Sequence, residues 1–211
     1  LPAGSPVMPR APAEVSWTIR QGRTFKYVVR PEMLPLVYKP ITAITKAAPV
    51  SITATGHGLV TGWGAAVTNV AGMNQINAVA NSLRESDFRP VSVVDANTIT
   101  INSIDAAGFS SYVGGGSLVY YTPVPLAGAT ARLNLRDAVG GALLYEMSTT
   151  IGNIVLNDAT HTITLTIPAA ATAAFTFLSA VGDLEVVYTD GFVDELLRIE
   201  VTVVQEVTTT P

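Results

Sequence analysis

Apolar side chains recur at every second position over much of this chain, the mark of strands that bury one face and expose the other. VSWTI puts Val15, Trp17 and Ile19 on one side, and TFKYVV does the same with Phe25, Tyr27 and Val29 after a turn at Gln21-Gly22. The pattern returns in ATARLNLRD (Ala131, Leu133, Leu135), HTITLTI (Ile163, Leu165, Ile167), DLEVVYTD (Leu184, Val186, Tyr188) and LLRIEVTVVQ (Leu197, Ile199, Val201, Val203). These are antiparallel-sheet patterns. Gly140-Gly141, Asn157-Asp158 and Asp190-Gly191 fall between alternating runs, where hairpins often need backbone of positive φ. One segment, PAAATAAF with Pro168 at its start, predicts a short helix linking two strands.

The texture changes between about Ile41 and Tyr121, bracketed by the proline-containing junctions RPEMLPLVYKP and YYTPVPLAG. Inside it, SITAT, AAVTNV, RPVSVVD, NTITIN and SLVYY are five short strands, enough for a small barrel-like module. Surface loops accept such insertions because loop-closure entropy grows slowly with length. The expected fold is therefore all-β: an Ig-like antiparallel β-sandwich interrupted by an inserted small β-barrel-like domain. Residues 14–40 and 122–208 form the sandwich and 41–121 the insert, with an extended arm over 1–13 and a tail over 209–211. The arm, LPAGSPVMPRAPAEVS, carries Pro2, Pro6, Pro9 and Pro12 and no apolar core of signal-peptide length. It reads as polyproline-like, either a disordered leader or a segment ordered on a neighbouring subunit.

Composition narrows the function. With 211 residues, two small domains can each bury a core. Charged residues are 13 % of the chain and apolar ones 48 %, so Thr, Ser, Asn, Gly and Ala must cover much of the surface. Such a surface suits a protein packed against neighbours, and equally a plain β-domain with threonine on its solvent faces. A net charge of −4, with Lys and Arg scattered and densest at Arg20, Arg23, Lys26 and Arg30, argues against nucleic-acid binding. Cysteine is absent, which removes disulfides and thiolate metal sites. No apolar run is long enough to insert in a membrane as a helix.

The stretch most like an active site is GHGLVTGWG, where His57 stands between Gly56 and Gly58. A hydrolytic triad would need His57 or His161, and neither lies near a nucleophile-elbow sequence. Metal-ligand spacings are missing as well, and YVGGGS lacks the Lys-Ser/Thr of a phosphate loop. No catalytic, cofactor-binding or metal residue is expected. Gly56, His57 and Gly58 read as a structural turn in which the imidazole donates to a backbone carbonyl. Trp17, in phase with Val15 and Ile19, belongs in the core, whereas Trp63, flanked by glycines, is expected at the surface as a partner contact. Tyr112, Tyr120 and Tyr121 are further candidate contacts. Asp190 and Asp194, within an acidic cluster that includes Asp183, Glu185 and Glu195, could meet Lys or Arg of a neighbour.

Two resemblances follow from these segments. TIRQGRTFKYVV, ARLNLRDAVGGALLYEM and DLEVVYTDGFVDELLRIEVTVVQEVT resemble the N-terminal domain of phage baseplate upper proteins, a β-sandwich that attaches a tail or baseplate protein to its neighbours. GHGLVTG, VAGMNQIN and NTITINSIDAAGFSSYVGGG resemble, in that order, a module of phage structural proteins likened to the first catalytic-cysteine half-domain of ubiquitin-activating enzymes. WGAAV departs from that module's pattern, in which a more polar segment follows the glycine. Without cysteine, the likeness to ubiquitin activation implies no catalysis. What the resemblances imply is a non-enzymatic virion protein, a tail, tail-tip or baseplate connector, assembled in the bacterial host cytoplasm. It would be a homo-oligomer bound to other virion proteins. Alternative readings are a capsid decoration or head-fibre protein, and a carbohydrate-binding module that stacks a host-surface glycan on Trp63, Tyr112, Tyr120 and Tyr121.

Overall fold

The computed structural model describes residues 12–206, so the tail expected over 209–211 and most of the arm expected over 1–13 lie outside the described residues. Along the chain run β1 (Ala13–Arg20), β2 (Phe25–Val29), β3 (Glu32–Pro40), β4 (Ala43–Thr45) and β5 (Val50–Thr53). Next come β6 (Gly64–Thr68), β7 (Arg89–Pro90), β8 (Ser92–Val93), β9 (Thr98–Ile101) and β10 (Ser117–Pro123). The last part holds β11 (Thr130–Arg136), β12 (Leu143–Ser148), β13 (Ile154–Asn157), β14 (Thr162–Ile167), α1 (Ala169–Ala173), β15 (Ser179–Val187) and β16 (Val193–Val204). The fold is all-β apart from α1 and two short 3-10 turns among the described residues. It divides into two compact units, Leu1–Glu32 with Pro123–Pro211, and Met33–Thr122.

In the split unit a five-stranded sheet of order β1-β16-β15-β11-β12 accompanies a three-stranded sheet of order β13-β14-β2. Alternation supplies the inner faces: Trp17 of β1 lies 4.9 Å from the Phe25 ring and 5.3 Å from the Tyr27 ring of β2, ring centre to ring centre. Trp17, Ile19, Leu133, Leu135, Ile163, Leu165 and Leu184 are all buried. Three hairpins form, β11–β12, β13–β14 and β15–β16. The Gln21-Gly22 turn instead carries the chain from one sheet to the other, and β1 pairs in parallel with β16, Val15 opposite Ile199 and Trp17 opposite Val201. Period-two alternation fixes which face is apolar but carries no information about the partner strand, so one parallel pair sits inside an otherwise antiparallel pattern.

The opposite face of the five-stranded sheet collects charge. Glu14 stands opposite Arg198, Arg198 opposite Asp183, Asp183 opposite Asn134 and Asn134 opposite Glu146 in one continuous row. Arg132 holds Glu185 at 2.5 Å, and Arg198 holds Glu195 at 2.7 Å. Charge is thus gathered rather than evenly thinned. Between 33 and 122 the sequence carries only Lys39, Lys46, Arg84, Arg89, Glu85, Asp87, Asp95 and Asp105.

The unit Met33–Thr122 is built from two four-stranded sheets, β3-β10-β6-β7 and β4-β5-β9-β8, and no closed barrel forms among the described residues. Ile44, Val50, Ile52, Ile99 and Ile101 of one sheet share a core with Ala65, Val67, Leu118 and Tyr120 of the other. RPEMLPLVYKP, expected as a junction, is largely the strand β3, so this unit begins at Met33 rather than near Ile41. Its prolines are accommodated because β3 is an edge strand, where one row of N–H groups has no ladder partner.

Candidate functional site

Gly56 and Gly58 adopt φ of +61° and +67°, a region costly for residues with a Cβ, although a Cβ at either would meet nothing within 4 Å. The backbone conformation, not crowding, calls for glycine there. The loop drives His57 into the core, where it is 1 % exposed. Leu59 N–H donates to Nδ1 at 3.0 Å, so that nitrogen carries the lone pair and the proton resides on Nε2. Nε2 lies 3.0 Å from the Asp95 carbonyl and donates to it. Tyr120 closes the arrangement by donating its hydroxyl to the His57 carbonyl, and burial pushes the Tyr120 phenol up from its usual value.

The partner turn is fixed in the same way. Asn97 N–H donates to the Asp95 carboxylate at 2.7 Å, which holds the Asp95 carboxyl below its usual value. Gly56 N–H donates to Asn97 Oδ1 at 3.0 Å. With both ring nitrogens engaged by backbone, His57 offers no nitrogen to accept a proton from a substrate. A catalytic base needs that lone pair aimed at the reacting group.

The remaining motif residues also point inward. Met73 is fully buried, and the Asn77 side chain clamps Val70, accepting from its N–H at 2.8 Å and donating to its carbonyl at 2.9 Å. Tyr112 donates its hydroxyl to the Ile41 and Gly115 carbonyls at 2.9 and 3.0 Å. GHGL is thus pinned to the Asp95–Asn97 turn and to Tyr120, while GMNQIN is joined to SSYVGGG by Gln75 Nε2 donating to Ser110 Oγ at 3.3 Å, an internal hydrogen-bonded frame in two parts.

The aromatic candidates are redistributed. Trp63 was expected at the surface, but it is 1 % exposed and its Nε1 donates to the Tyr121 carbonyl at 3.3 Å. Its glycine neighbours let the chain turn the indole inward. Tyr120 is buried as well, and Tyr121 is half-buried with its ring 4.8 Å from Phe88. The stacking platform expected of Trp63, Tyr112, Tyr120 and Tyr121 is thereby lost, because two of the four rings lie in the core.

The acidic hairpin is only partly a free surface. Asp190 is exposed but its carboxylate accepts from Phe192 N–H at 3.0 Å, a turn-closing bond. Asp194 is half-buried opposite Val186, and burial raises its carboxyl. Burial, then Asp194 and Asp190, push the Tyr188 hydroxyl up to about 12.

Asp183, exposed in the charged row of the five-stranded sheet, is raised above its ordinary 3.8 by partial desolvation, then by Glu185 and Glu195. Below the unfolded value both states are protonated and nothing is lost. As pH rises through the raised folded value, the folded state must carry an ionised group it disfavours, so this residue's contribution to stability falls. Asp183→Asn is expected to raise the melting temperature at pH 7 and to leave it unchanged near pH 3, read by thermal denaturation at both. An equal shift at both would rule out ionisation as the cause.

Two clefts lie among the described residues. One of about 360 Å³ in the Met33–Thr122 unit is edged by Gln75, Asp87, Arg89, Ser103 and Asp105 over Val67 and Ile101. The other, about 870 Å³, runs along the charged sheet face between Glu14, Asn134, Arg136, Asp183 and Glu200. The charged row escaped sequence reading because it is assembled across β1, β16, β15, β11 and β12. Its even-numbered members on β1 and β16 were nevertheless the visible polar half of the alternation. Among the described residues no group of three or more His, Asp or Glu is arranged to hold a metal ion. No helix among them is long and apolar enough to cross a membrane. No protein-family model matches this chain, and a search of curated proteins finds no match.

Proposed function

We propose that this chain is a non-enzymatic bacteriophage virion protein, a tail, tail-tip or baseplate connector that attaches to neighbouring virion subunits and works as a homo-oligomer. The observation that carries the reading is the use made of the recurrent motif residues. In the segments that resemble the phage module, His57, Met73, Asn77 and Tyr112 each meet a backbone or core requirement of one β-unit. The segments that resemble baseplate upper proteins contribute to β1, β2, β11, β12, β15 and β16 of the split unit. Residues spent on such requirements mark a building block, and function then resides on the faces and edges it holds out. Engagement of both His57 nitrogens by backbone supports the non-enzymatic part of the reading.

The test is immunogold labelling of virions of the phage that encodes the chain, with mass spectrometry of the purified particles. Label at the tail tip or baseplate is the expected result. Uniform label over the capsid would transfer the protein to the decoration or head-fibre class, and its absence from purified particles would end the virion reading.

A further inference from the structure

The five-stranded sheet treats its two edges differently. At β12 the Asn153 amide accepts from Ser148 N–H at 2.8 Å and donates to the Glu146 carbonyl at 3.1 Å, occupying the place of a further strand. A bulge also shifts the register between Leu135 and Arg136. Both features keep an edge strand from pairing with another chain. β1, at the other edge, shows neither among the described residues: Ala13 to Arg20 run in unbroken register with β16, without proline or an inward-facing charge.

The phase of the β1 edge follows from one bond. Gln21 N–H donates to the Val204 carbonyl at 3.0 Å, continuing the parallel ladder. In such a ladder alternate residues bond the partner and the others face away. Odd-numbered residues of β1 therefore bond β16, and Glu14, Ser16, Thr18 and Arg20 face the open edge, where the Arg20 carbonyl already accepts from Arg23 N–H at 3.3 Å. The same four residues place their side chains on the exposed face.

We propose that β1 pairs antiparallel with β1 of a second copy, about a two-fold axis passing at Trp17. In this register Ser16 exchanges backbone hydrogen bonds with the partner's Thr18, and Glu14 lies beside the partner's Arg20. Two-fold symmetry repeats the contact, so the dimer holds two such pairs and both charges of each strand are matched. Centring the axis on Ser16 would set Glu14 against the partner's Thr18, and centring it on Thr18 would set Arg20 against the partner's Ser16. Only the Trp17-centred register makes the edge complementary to itself. The joined sheets form one continuous ten-stranded surface with the charged rows on a single face. This interface does not depend on the virion role and stands if that role fails.

Sedimentation equilibrium of the full chain tests it through charge reversal. The wild-type chain is expected to dimerise, and E14R and R20E each to raise the dissociation constant on the order of tenfold or more, because like charges then meet at both pairs. Mixing E14R with R20E is expected to restore association, since each copy supplies the charge the other has lost; the double variant restores it alone. T18P, which removes an outward N–H without touching the β16 ladder, is expected to leave monomer. Unchanged melting temperatures show that the exposed substitutions leave the fold intact, and any variant that melts early yields to the other and to the mixture. A wild-type chain that stays monomeric overturns the proposal, as does association indifferent to these substitutions or failure of the mixture to recover it.

Discussion

Replacing His57 by alanine is expected to destabilise the Met33–Thr122 unit by about 3–5 kcal/mol. The ring accepts from Leu59 N–H and donates to the Asp95 carbonyl, both at 3.0 Å, and it is 1 % exposed. Truncation leaves two backbone groups without partners in a site closed to water, each worth about 1–3 kcal/mol, and adds a cavity the size of an imidazole. Gly56 and Gly58, already at positive φ, then lose the side chain that fixes their loop to the turn at Asp95 and Asn97. The measurement is urea denaturation followed by fluorescence. Trp63 reports on this unit and Trp17 on the other, so the variant should lower the Trp63 transition first. His57→Gln, which keeps one polar contact within reach, should lose less. An unchanged midpoint together with lost association in His57→Ala would move the residue from the frame to a binding surface.

How much of this could be read from sequence depends on which physical constraint is local. Ile99 and Ile101 of TITI, Leu133 and Leu135 of RLNLR, and Ile163 and Leu165 of TITL are buried where their alternation put them, because a strand's faces follow from its own residues. The hairpins at Gly140-Gly141, Asn157-Asp158 and Asp190-Gly191 were legible for the same reason: turn geometry is set by the residues in the turn. The glycines beside His57 likewise announced backbone that only a turn needs. Partner choice is not local. Nothing in VSWTI distinguishes pairing with the strand that follows from pairing with β16 at the far end of the chain. The prolines of β3 looked like breakers because their tolerance depends on an edge position that only the assembled sheet defines. Trp63 failed similarly: glycine on either side is compatible with a loop that exposes the indole and with one that folds it inward.

The candidate site shows the same division. The internal frame was legible in part, since His57 between glycines called for a bond to a carbonyl, and that bond goes to Asp95. The Asn77 clamp on Val70 was not, because an asparagine amide that replaces a strand looks in sequence like any loop asparagine. Nor was the edge of β1 recognisable before its ladder phase, and its lack of a guard among the described residues, were visible beside the capped edge of β12.

Trp63→Ala is expected to remove about 3–5 kcal/mol from the same unit, a large part of the 5–15 kcal/mol that holds a domain of this kind together. The indole packs in the core with Val67, Met73, Val91 and Tyr120, and its Nε1 donates to the Tyr121 carbonyl at 3.3 Å. Large aromatic truncations lose both the transfer free energy of the ring and the contacts around the void it leaves. Trp63→Phe should forfeit much less, because it preserves most of the apolar volume and gives up one long hydrogen bond. Urea denaturation followed by circular dichroism separates this account from the expectation of a surface contact. A core residue lowers the unfolding midpoint sharply in the alanine variant and mildly in the phenylalanine variant, whether or not a partner is present. A contact residue leaves both midpoints in place and weakens association instead. If Trp63→Ala unfolds at the wild-type urea concentration while association weakens, the indole spends its life at an interface, and the inward turn at its flanking glycines is wrong.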